Sequence, residues 1–282
     1  MRIARLALAL VLGAVPAAAD EPAPSFGTLG VSAGLDYRRG DYDLERDTEI
    51  WYAPFTLKLL LDDFAPTPWR NDQIELGVTL PWVEIHGPSL VAQGAGRVDA
   101  AGSDPGDPTG RRRTRDRGLG DLVARVTYLW YPTRPLPLPA LELSTKVRFP
   151  TGDQSRGLGT GAFETTTQLD LYRSFGRVTP LGTIGYRFFG QSRDFRLRDG
   201  PLASLGFALR GPRWLSGGVF FDWRRSATRG VDDPLELMPY LSIRPNRRVA
   251  IQPYGVVGFS DGSADYGAGL QLSTRLTLRR PR

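Results

Sequence analysis

The sequence predicts an all-β protein, a transmembrane antiparallel β-barrel of about twelve strands, and three observations support this prediction. Apolar and polar residues alternate along most of the chain, which is the period of a β-strand. The connections between the alternating segments are short and long in turn, as they are in outer-membrane barrels. The N-terminus has the pattern of an export signal. Together these features predict a protein of the Gram-negative cell outer membrane.

Residues 1–19 are predicted to be a secretory signal peptide. Arg2 and Arg5 give a basic start to an almost wholly apolar segment, and three alanines provide a cleavage site before Asp20. The apolar segment is shorter than the roughly 20 residues that a spanning helix needs, so we expect cleavage after Sec export and not a membrane anchor. Residues 20–282 are then expected to form one outer-membrane β-barrel domain.

Composition narrows the class of protein. The chain has no Cys, so disulfides cannot stabilise it, and its 33 Gly and 23 Pro with 41% hydrophobic residues suit many strands joined by turns. The formal net charge of +6 is modest, and an exported protein of this charge is not expected to bind nucleic acid. No run of about 18 apolar residues follows the signal segment, which argues against a transmembrane helix.

The alternating segments can be placed along the chain, and no segment shows a helical period with caps over a useful length. The predicted strand cores are 27–38, 49–61, 72–85, 119–131, 139–149, 162–174, 178–189, 201–210, 214–225, 234–244, 248–259 and 265–279. An even number of strands places both termini on the side of the short turns, which we expect to be periplasmic.

The stretch from Leu138 to Tyr172 shows the alternation most clearly. In its first strand, Leu143 and Val147 fall on one face, whereas Glu142 and Lys146 fall on the other. In hydrocarbon every backbone N–H and C=O must be paired, and strands achieve this only when the sheet closes and leaves no edge. We therefore expect the apolar face to contact membrane lipid and the polar face to line an interior.

Aromatic residues lie near the ends of many predicted strands. Such residues are predicted to form girdles at the two membrane interfaces. They are Trp51, Trp82, Trp130 with Tyr131, Phe188 with Phe189, Trp214 and Trp223.

The inward-facing polar residues are the candidate site. Charges of both signs occur in similar number, so they can line a passage that selects a solute, or pair across strands and fill the lumen. Eight strands leave room only for side chains and sixteen or more leave an aqueous channel, so about twelve leaves both possibilities open. The lumen-lining candidates are Asp121, Arg125, Glu142, Lys146, Arg148, Glu164, Gln168, Asp170, Tyr172, Arg187, Asp222, Arg224, Tyr240 and Arg244.

The longest predicted connection, 87–118, is the natural plug or lid for this lumen. It is rich in Gly, Asp and Arg, and such a basic loop can recruit anionic solutes, contact lipopolysaccharide phosphates or remain solvated. We expect contact with lipopolysaccharide or solvent in preference to solute recruitment. The basic cluster consists of Arg111, Arg112, Arg113, Arg115 and Arg117.

Four motifs follow one another in the middle of the chain. They are GLGDL at 118–122, KVRFPTGD at 146–153, GLGTG at 157–161 and GYRFFG at 185–190. In this order and spacing they resemble the family of outer-membrane proteins of the meta-pathway of phenol degradation, often labelled simply as transporters. The motifs cover about 118–190, and the strand pattern extends the likeness over most of the chain. The resemblance implies an outer-membrane barrel for passage of aromatic or other small hydrophobic compounds.

The PTGD part of the second motif also has a direct physical interpretation as a turn. Pro150 ends the strand, Gly152 permits a positive φ, and the Asp153 carboxylate can accept bonds from nearby amides. The GLGTG motif has the glycine spacing of a phosphate-binding loop, but the helix and the Lys-Ser/Thr pair of such loops are absent. Nucleotide binding is therefore not expected, and no cofactor is predicted.

The C-terminus departs from the usual pattern of outer-membrane barrels. These barrels commonly end in an aromatic residue that the assembly machinery recognises. Here the alternation continues to Leu278, but a basic tail, Arg279 to Arg282, stands in place of the aromatic residue. We still expect the outer-membrane assembly machinery to be a partner.

An enzyme and a structural barrel are the alternatives to a channel. A barrel phospholipase-type hydrolase needs a Ser nucleophile, a His and an orienting side chain. The one His is His86, with Ser89 three residues later. Asn71 and Asn246 both fall at the short-turn end of the predicted barrel, opposite to the end where His86 lies. The sequence has no His/Cys cluster for a metal. It favours a porin-like channel or facilitator for small-molecule transport over a hydrolase, and it does not exclude a structural or adhesive barrel.

Overall fold

The computed structural model describes residues 25–43, 46–61, 70–87, 89–94, 97–103, 114–132, 138–192 and 197–279. The predicted signal peptide and Arg111 to Arg113 lie outside these residues. The strands are β1 (Ser25–Gly40), β2 (Thr48–Leu61), β3 (Arg70–Gly87), β4 (Ser89–Gly94), β5 (Arg97–Ser103), β6 (Thr114–Leu119), β7 (Leu122–Pro132), β8 (Ala140–Phe149), β9 (Glu164–Tyr172), β10 (Val178–Phe189), β11 (Gly200–Arg210), β12 (Leu215–Arg224), β13 (Leu235–Ile243), β14 (Val249–Gly258) and β15 (Tyr266–Arg279).

A closed antiparallel barrel forms from β1, β2, β3 and β7 to β15. Neighbours in the chain pair with one another from β7 to β15, and β3 pairs with both β2 and β7. The pairing of β1 with β15 closes the ring. The predicted twelve-stranded barrel is therefore confirmed. Within the described residues, no helix has the length and hydropathy needed to cross a membrane.

The two ends of the barrel differ in their connections. One end, here called the long-loop end, carries the segments that join β1 to β2, β3 to β7, β8 to β9, β10 to β11, β12 to β13 and β14 to β15. The other, here called the short-turn end, carries tight turns such as those around Gly176 and Gly211. The long connection between β3 and β7 includes a separate two-stranded sheet of β4 and β5.

One strand that the sequence predicts as continuous is interrupted. Both β6 and β7 pair with β3, and the break between them falls at Gly120 and Asp121. Pro81 of β3 stands opposite the break and has no N–H to donate, while its carbonyl accepts a 2.9 Å hydrogen bond from the Gly120 N–H. The expected strand 119–131 is corrected to two pieces, and the interruption releases Asp121 from the ladder.

The outer surface of the barrel is apolar. Phe55, Leu143 and Leu205 expose 60%, 49% and 70% of their surface, and apolar residues on every side of the barrel do the same. An apolar band that runs around the whole wall is suited to lipid, not to water. Polar side chains alternate with these residues and point to the interior, as the sequence predicts.

The predicted aromatic girdles need two corrections, at Tyr131 and at Phe189, whose ring centroid lies 5.0 Å from the guanidinium of inward-facing Arg187. Trp51, Phe188 and Trp214 lie exposed on the outer surface. Tyr131, in contrast, exposes only 7% of its surface and packs inside the barrel. It follows Trp130 directly in β7, and adjacent residues of a strand point to opposite faces, so only one of the two can face lipid.

Candidate functional site: the barrel interior

The lumen-lining candidates differ in how far they are buried. Arg125, Lys146, Gln168 and Arg244 are half-buried. The others are buried: Asp121, Glu142, Arg148, Glu164, Asp170, Tyr172, Arg187, Asp222, Arg224 and Tyr240. Much of the predicted polar lining is thus covered by other side chains and does not border open space.

A first buried ion-pair cluster links β1, β12 and β13. The Arg38 guanidinium lies 3.0 Å from Asp36 and 3.3 Å from Glu236, and Arg224 lies 3.1 Å from the second Glu236 oxygen. The Tyr254 hydroxyl donates a 2.6 Å hydrogen bond to Asp36. Arg38 and Glu236 are completely buried. Two arginines and two carboxylates compensate one another, which is the condition for burying such charges.

A second buried cluster lies on β8, β9 and the break before β7. Arg148 contacts the Glu164 carboxylate and lies 3.5 Å from Asp121. The Thr166 hydroxyl donates a 3.1 Å hydrogen bond to Glu164. Asp121 also accepts a 2.9 Å hydrogen bond from the backbone N–H of Gly152, in the connection between β8 and β9. This cluster therefore fastens a loop to the inside of the wall.

The loop that Asp121 holds, residues 150–163, folds into the barrel. Leu158 from its middle is 1% exposed and packs against Ile50, Tyr52 and other interior apolar residues. A Cβ on Gly159 would lie 2.5 Å from the Asp121 carboxylate, and one on Gly118 would lie 2.8 Å from the Leu158 side chain. Glycine at these positions allows the close approach. The motifs GLGDL, PTGD and GLGTG thus meet at one place in the fold.

The turn at the start of this loop is partly as predicted. The Asp153 carboxylate accepts a 3.0 Å hydrogen bond from Ser155 N–H and caps the 3₁₀ turn Gln154–Arg156. The hydroxyl and amide of Ser155 hold the pKa of Asp153 below its ordinary value. The expected positive φ at Gly152 is wrong, because positive φ occurs at Gly157 and Gly161 instead. Gly152 is needed for space, since a Cβ there would lie 2.6 Å from the Leu158 carbonyl oxygen.

An apolar cluster lies at the long-loop end of the barrel interior. It comprises Tyr42, Ile50, Tyr52, Val83, Ile85, Leu158 and Ala264, all buried. Tyr42 lies in the connection after β1. Its burial raises the pKa of its hydroxyl. At this end the structure shows wall side chains and Leu158 of the inward-folded loop packed together. The inserted residue comes from 150–163, and the side chains of 88–114, which belong to the predicted plug, lie outside the described residues.

A second apolar cluster, here called the aromatic cluster, lies deeper in the barrel. It comprises Leu129, Tyr131, Ala140, Tyr172, Leu181, Phe220 and Tyr240, with Leu60, Met238 and Tyr254 packed against it. Phe220 and Tyr240 stack with ring centroids 5.5 Å apart. The hydroxyls of Tyr172 and Tyr131 donate to Glu142, at 2.9 and 3.4 Å. Tyr172 and Tyr240 of this cluster are among the lumen-lining candidates, whereas Tyr131 and Phe220 are not.

The residues considered for hydrolysis lie apart from the interior clusters. His86 is at the long-loop end of β3, where its Nε2 is 2.7 Å from Glu84, and Arg115 contacts the same carboxylate at 2.9 Å. Asn71, the second residue of β3, is at the opposite end of that strand. The His86 ring is thus held in an ion-pair network with Glu84, and Asn71 lies at the other end of the strand.

An acidic group on the long-loop connections was also missed by the sequence analysis. Asp43, Asp232 and Asp261 are exposed, and one oxygen of each lies within 4.8 Å of the others. Asp43 uses a carboxylate oxygen to accept a 2.6 Å hydrogen bond from the Asp232 N–H. The three residues come from distant parts of the chain, so their proximity carries no sequence signal. Exposed acids often cluster without a bound ion, and we assign no role to this group.

Comparison with known proteins agrees with the geometry. The family described as "Putative MetA-pathway of phenol degradation" matches residues 57–233. This range includes all four motifs and the loop that carries Leu158. No curated protein matches the chain.

Among solved structures, the chain is similar to the COG4313 outer membrane channel from Pseudomonas putida F1, with 12% identity and a TM-score of 0.65 over 91% of this chain and 97% of that one. It is also similar to the transport unit of the autotransporter AIDA-I from Escherichia coli, with 7% identity and a TM-score of 0.50 over 92% and 91%. At these identities the likeness concerns the fold, which is that of outer-membrane barrels.

Proposed function

The chain belongs to the family described as "Putative MetA-pathway of phenol degradation", and from this premise we propose that it is an outer-membrane channel or facilitator for small, aromatic or otherwise hydrophobic molecules. The observation that supports this most directly is the two-sided wall. The barrel is closed and apolar outside, while its interior combines polar clusters with an aromatic cluster. A solute inside such a wall is separated from lipid along its whole path.

The aromatic cluster supports the proposed class of solute. Sites for small molecules are mostly apolar, with a few polar groups that fix orientation. Tyr172, Phe220 and Tyr240 provide ring faces, and the Glu142 carboxylate beside Tyr172 provides a polar group. Planar apolar molecules pack well against such faces.

The resting state in this proposal is closed at the long-loop end. Leu158 and the apolar cluster around it fill the lumen there, so passage requires loop 150–163 to move. We propose that the long-loop end is extracellular, near lipopolysaccharide, and that both termini are periplasmic after removal of residues 1–19. The outer-membrane assembly machinery is the proposed route of insertion.

A non-enzymatic role is part of the proposal. The fold is similar to that of a solved channel, and His86 lies in an ion-pair network at the rim of the barrel. A structural barrel remains the second candidate, because a filled lumen also suits a protein that conducts nothing.

Purified protein in planar bilayers tests the proposal. A channel gives steady or stepwise current that heat-denatured protein does not give, and deletion of the gene slows growth on aromatic carbon sources. Silent bilayers together with unchanged growth would favour the structural role. Hydrolysis of phospholipid that disappears in His86→Ala would favour an enzyme.

A further inference from the structure

The register of the sheet brings basic residues from distant strands into one inward-facing row. Each residue of this row is directly opposite the next one on the neighbouring strand. In order, the row consists of Arg275, Gly30, Lys58, Gly77, Arg125, Lys146, Thr166 and Arg187. We call Arg275, Lys58, Arg125, Lys146 and Arg187 the cationic row. Strands in a barrel are tilted, so a register row climbs along the barrel axis.

The cationic row runs between the two ends of the barrel. Arg275 and Lys58 are near the short-turn ends of β15 and β2, Arg125 is in the body of β7, and Lys146 and Arg187 are near the long-loop ends of β8 and β10. Neighbouring strands are about 4.8 Å apart, so successive cations stand roughly 5 to 10 Å from one another. That spacing is comparable to the Debye length of roughly 8 Å at physiological ionic strength.

Glycine separates several of these cations. A Cβ on Gly77 would lie 3.8 Å from the Arg125 Cβ and 3.8 Å from the Lys58 Cγ. Gly30 stands in the same way between Arg275 and Lys58. With hydrogen in place of a side chain, the two glycines leave lateral room for the long basic side chains. The cations are therefore neighbours along the inner wall.

Placing like charges side by side is costly. Arg125 and Lys146 are directly opposite across β7 and β8, an arrangement that destabilises a sheet when both residues are charged. Lys58 has a carboxylate 2.9 Å away, on Glu75. If these side chains served only to fill space, the sheet would gain nothing from two cations in directly opposed positions. A function that uses the positive potential would explain the arrangement.

Four acidic residues of the interior follow a different row, whereas Glu75 lies beside Lys58 of the cationic row. Glu142 is opposite Asp170, Asp170 opposite Thr183, Thr183 opposite Ser204, Ser204 opposite Asp222, and Asp222 opposite Glu236. These four acids are all buried, whereas Lys58, Arg125, Lys146 and Arg275 are half-buried. Within these two rows the half-buried charged residues are therefore all cations, and the half-buried carboxylate of Glu75 contacts one of them.

We propose that the cationic row is a path for small organic anions with an apolar body, such as aromatic carboxylates. This rests on the proposed channel function and narrows its solute class. The row supplies successive positions for the charged group, while the aromatic cluster supplies contacts for the ring. The two features meet near the short-turn end, because Leu60 packs against the aromatic cluster and lies two residues from Lys58 on the same face of β2. A positive lumen also raises the local concentration of anions.

Reversal potentials in planar bilayers test this proposal. Currents are measured across a KCl gradient and then with potassium benzoate in place of KCl, in the wild type and in Leu158→Ala, so that a closed lumen does not hide selectivity. We expect permeability to favour the anion over potassium in both salts. In Arg125→Gln/Lys146→Gln the preference should fall several-fold, and in Arg125→Lys/Lys146→Arg it should be kept.

Arg39→Gln is the matched control, because Arg39 pairs with exposed Asp47 at the long-loop end and is not in the row. It should leave the permeability ratio unchanged. Currents without anion preference, or an unchanged ratio in the double Gln variant, would overturn the cationic row and leave the channel function standing. No current from either the wild type or Leu158→Ala would overturn the channel function itself.

Discussion

The Asp121 carboxylate accepts a 2.9 Å hydrogen bond from the backbone N–H of Gly152, and so joins the break between β6 and β7 to the loop between β8 and β9. Arg148 lies 3.5 Å from the same carboxylate. Around it, glycines at 152 and 159 leave space that a side chain would fill. One buried charge thus holds the segment that carries Leu158 into the lumen.

Removal of this anchor should loosen the loop. In Asp121→Ala, the Gly152 N–H loses its acceptor and Arg148 loses one of its two carboxylates, at a cost of about 1–3 kcal/mol for the buried hydrogen-bonding groups. We expect a larger mean conductance and faster proteolysis within 150–163 than in the wild type. Asp153→Ala is the control, because that carboxylate only caps the exposed 3₁₀ turn. Equal effects of the two changes would contradict the anchoring role.

Leu158 itself should act as the closing residue. Leu158→Ala removes a buried side chain from the long-loop apolar cluster, and truncations of this kind typically cost roughly 2–5 kcal/mol when the site cannot collapse. In bilayers we expect more frequent or larger openings. Leu119→Ala is the comparison, because Leu119 lies on the outer surface near the same end and is 57% exposed. If both variants conduct like the wild type, the lumen is closed elsewhere.

The buried charges around Glu236 should be important for stability. Glu236→Gln leaves Arg38 and Arg224 buried with one carboxylate fewer, and breaking such a cluster costs about 3–5 kcal/mol. The folded barrel, followed by its faster migration in unheated SDS gels, should unfold at clearly lower urea concentration. Asp47→Asn, in an exposed pair with Arg39, should change the midpoint little. A similar midpoint for both variants would show that the cluster is not needed.

Two tyrosines of the interior form a matched pair for a test of buried polarity. The Tyr254 hydroxyl donates to Asp36 at 2.6 Å, whereas the Tyr240 hydroxyl is buried with no hydrogen-bond partner among the described residues. Tyr254→Phe leaves a buried carboxylate short of a donor and should lower the free energy of unfolding by about 1–3 kcal/mol. Tyr240→Phe should be neutral or stabilising. Urea unfolding of both variants checks the order, and the reverse order would contradict these contacts.

The fold was accessible from the sequence because lipid imposes alternation on each strand. Leu143 and Glu142 could be assigned to opposite faces without a structure, and strand limits such as 178–189 agree with β10. The apolar cluster at the long-loop end could not be predicted from the sequence. Ile50, Trp51 and Tyr52 are successive apolar residues, so both faces of the strand are apolar there and the alternation is lost.

The arrangement within the interior depends on register, which no single strand encodes. Arg275 and Lys58 come together only because β1 pairs with both β15 and β2. Leu158 is an apolar residue among glycines in a predicted loop, which is only a weak sequence signal for burial. Its inward direction depends on the contact of the loop with Asp121. The neighbours of an interior residue therefore depend on how the loops fold and how the strands are staggered, and the periodicity of a single strand does not show either.

The alternation of β8 between lipid and lumen is the central claim, and single-cysteine labelling tests it most directly because the chain has no Cys of its own. Cysteine replaces each residue of 141–149 in turn, and a spin label reports access to oxygen in lipid or to a water-soluble relaxation agent. We predict that labels at 141, 143, 145, 147 and 149 contact lipid, whereas the label at 146 contacts water and the remaining inward positions are shielded from both. Uniform exposure to water along the strand, or lipid contact at 146, would contradict the account.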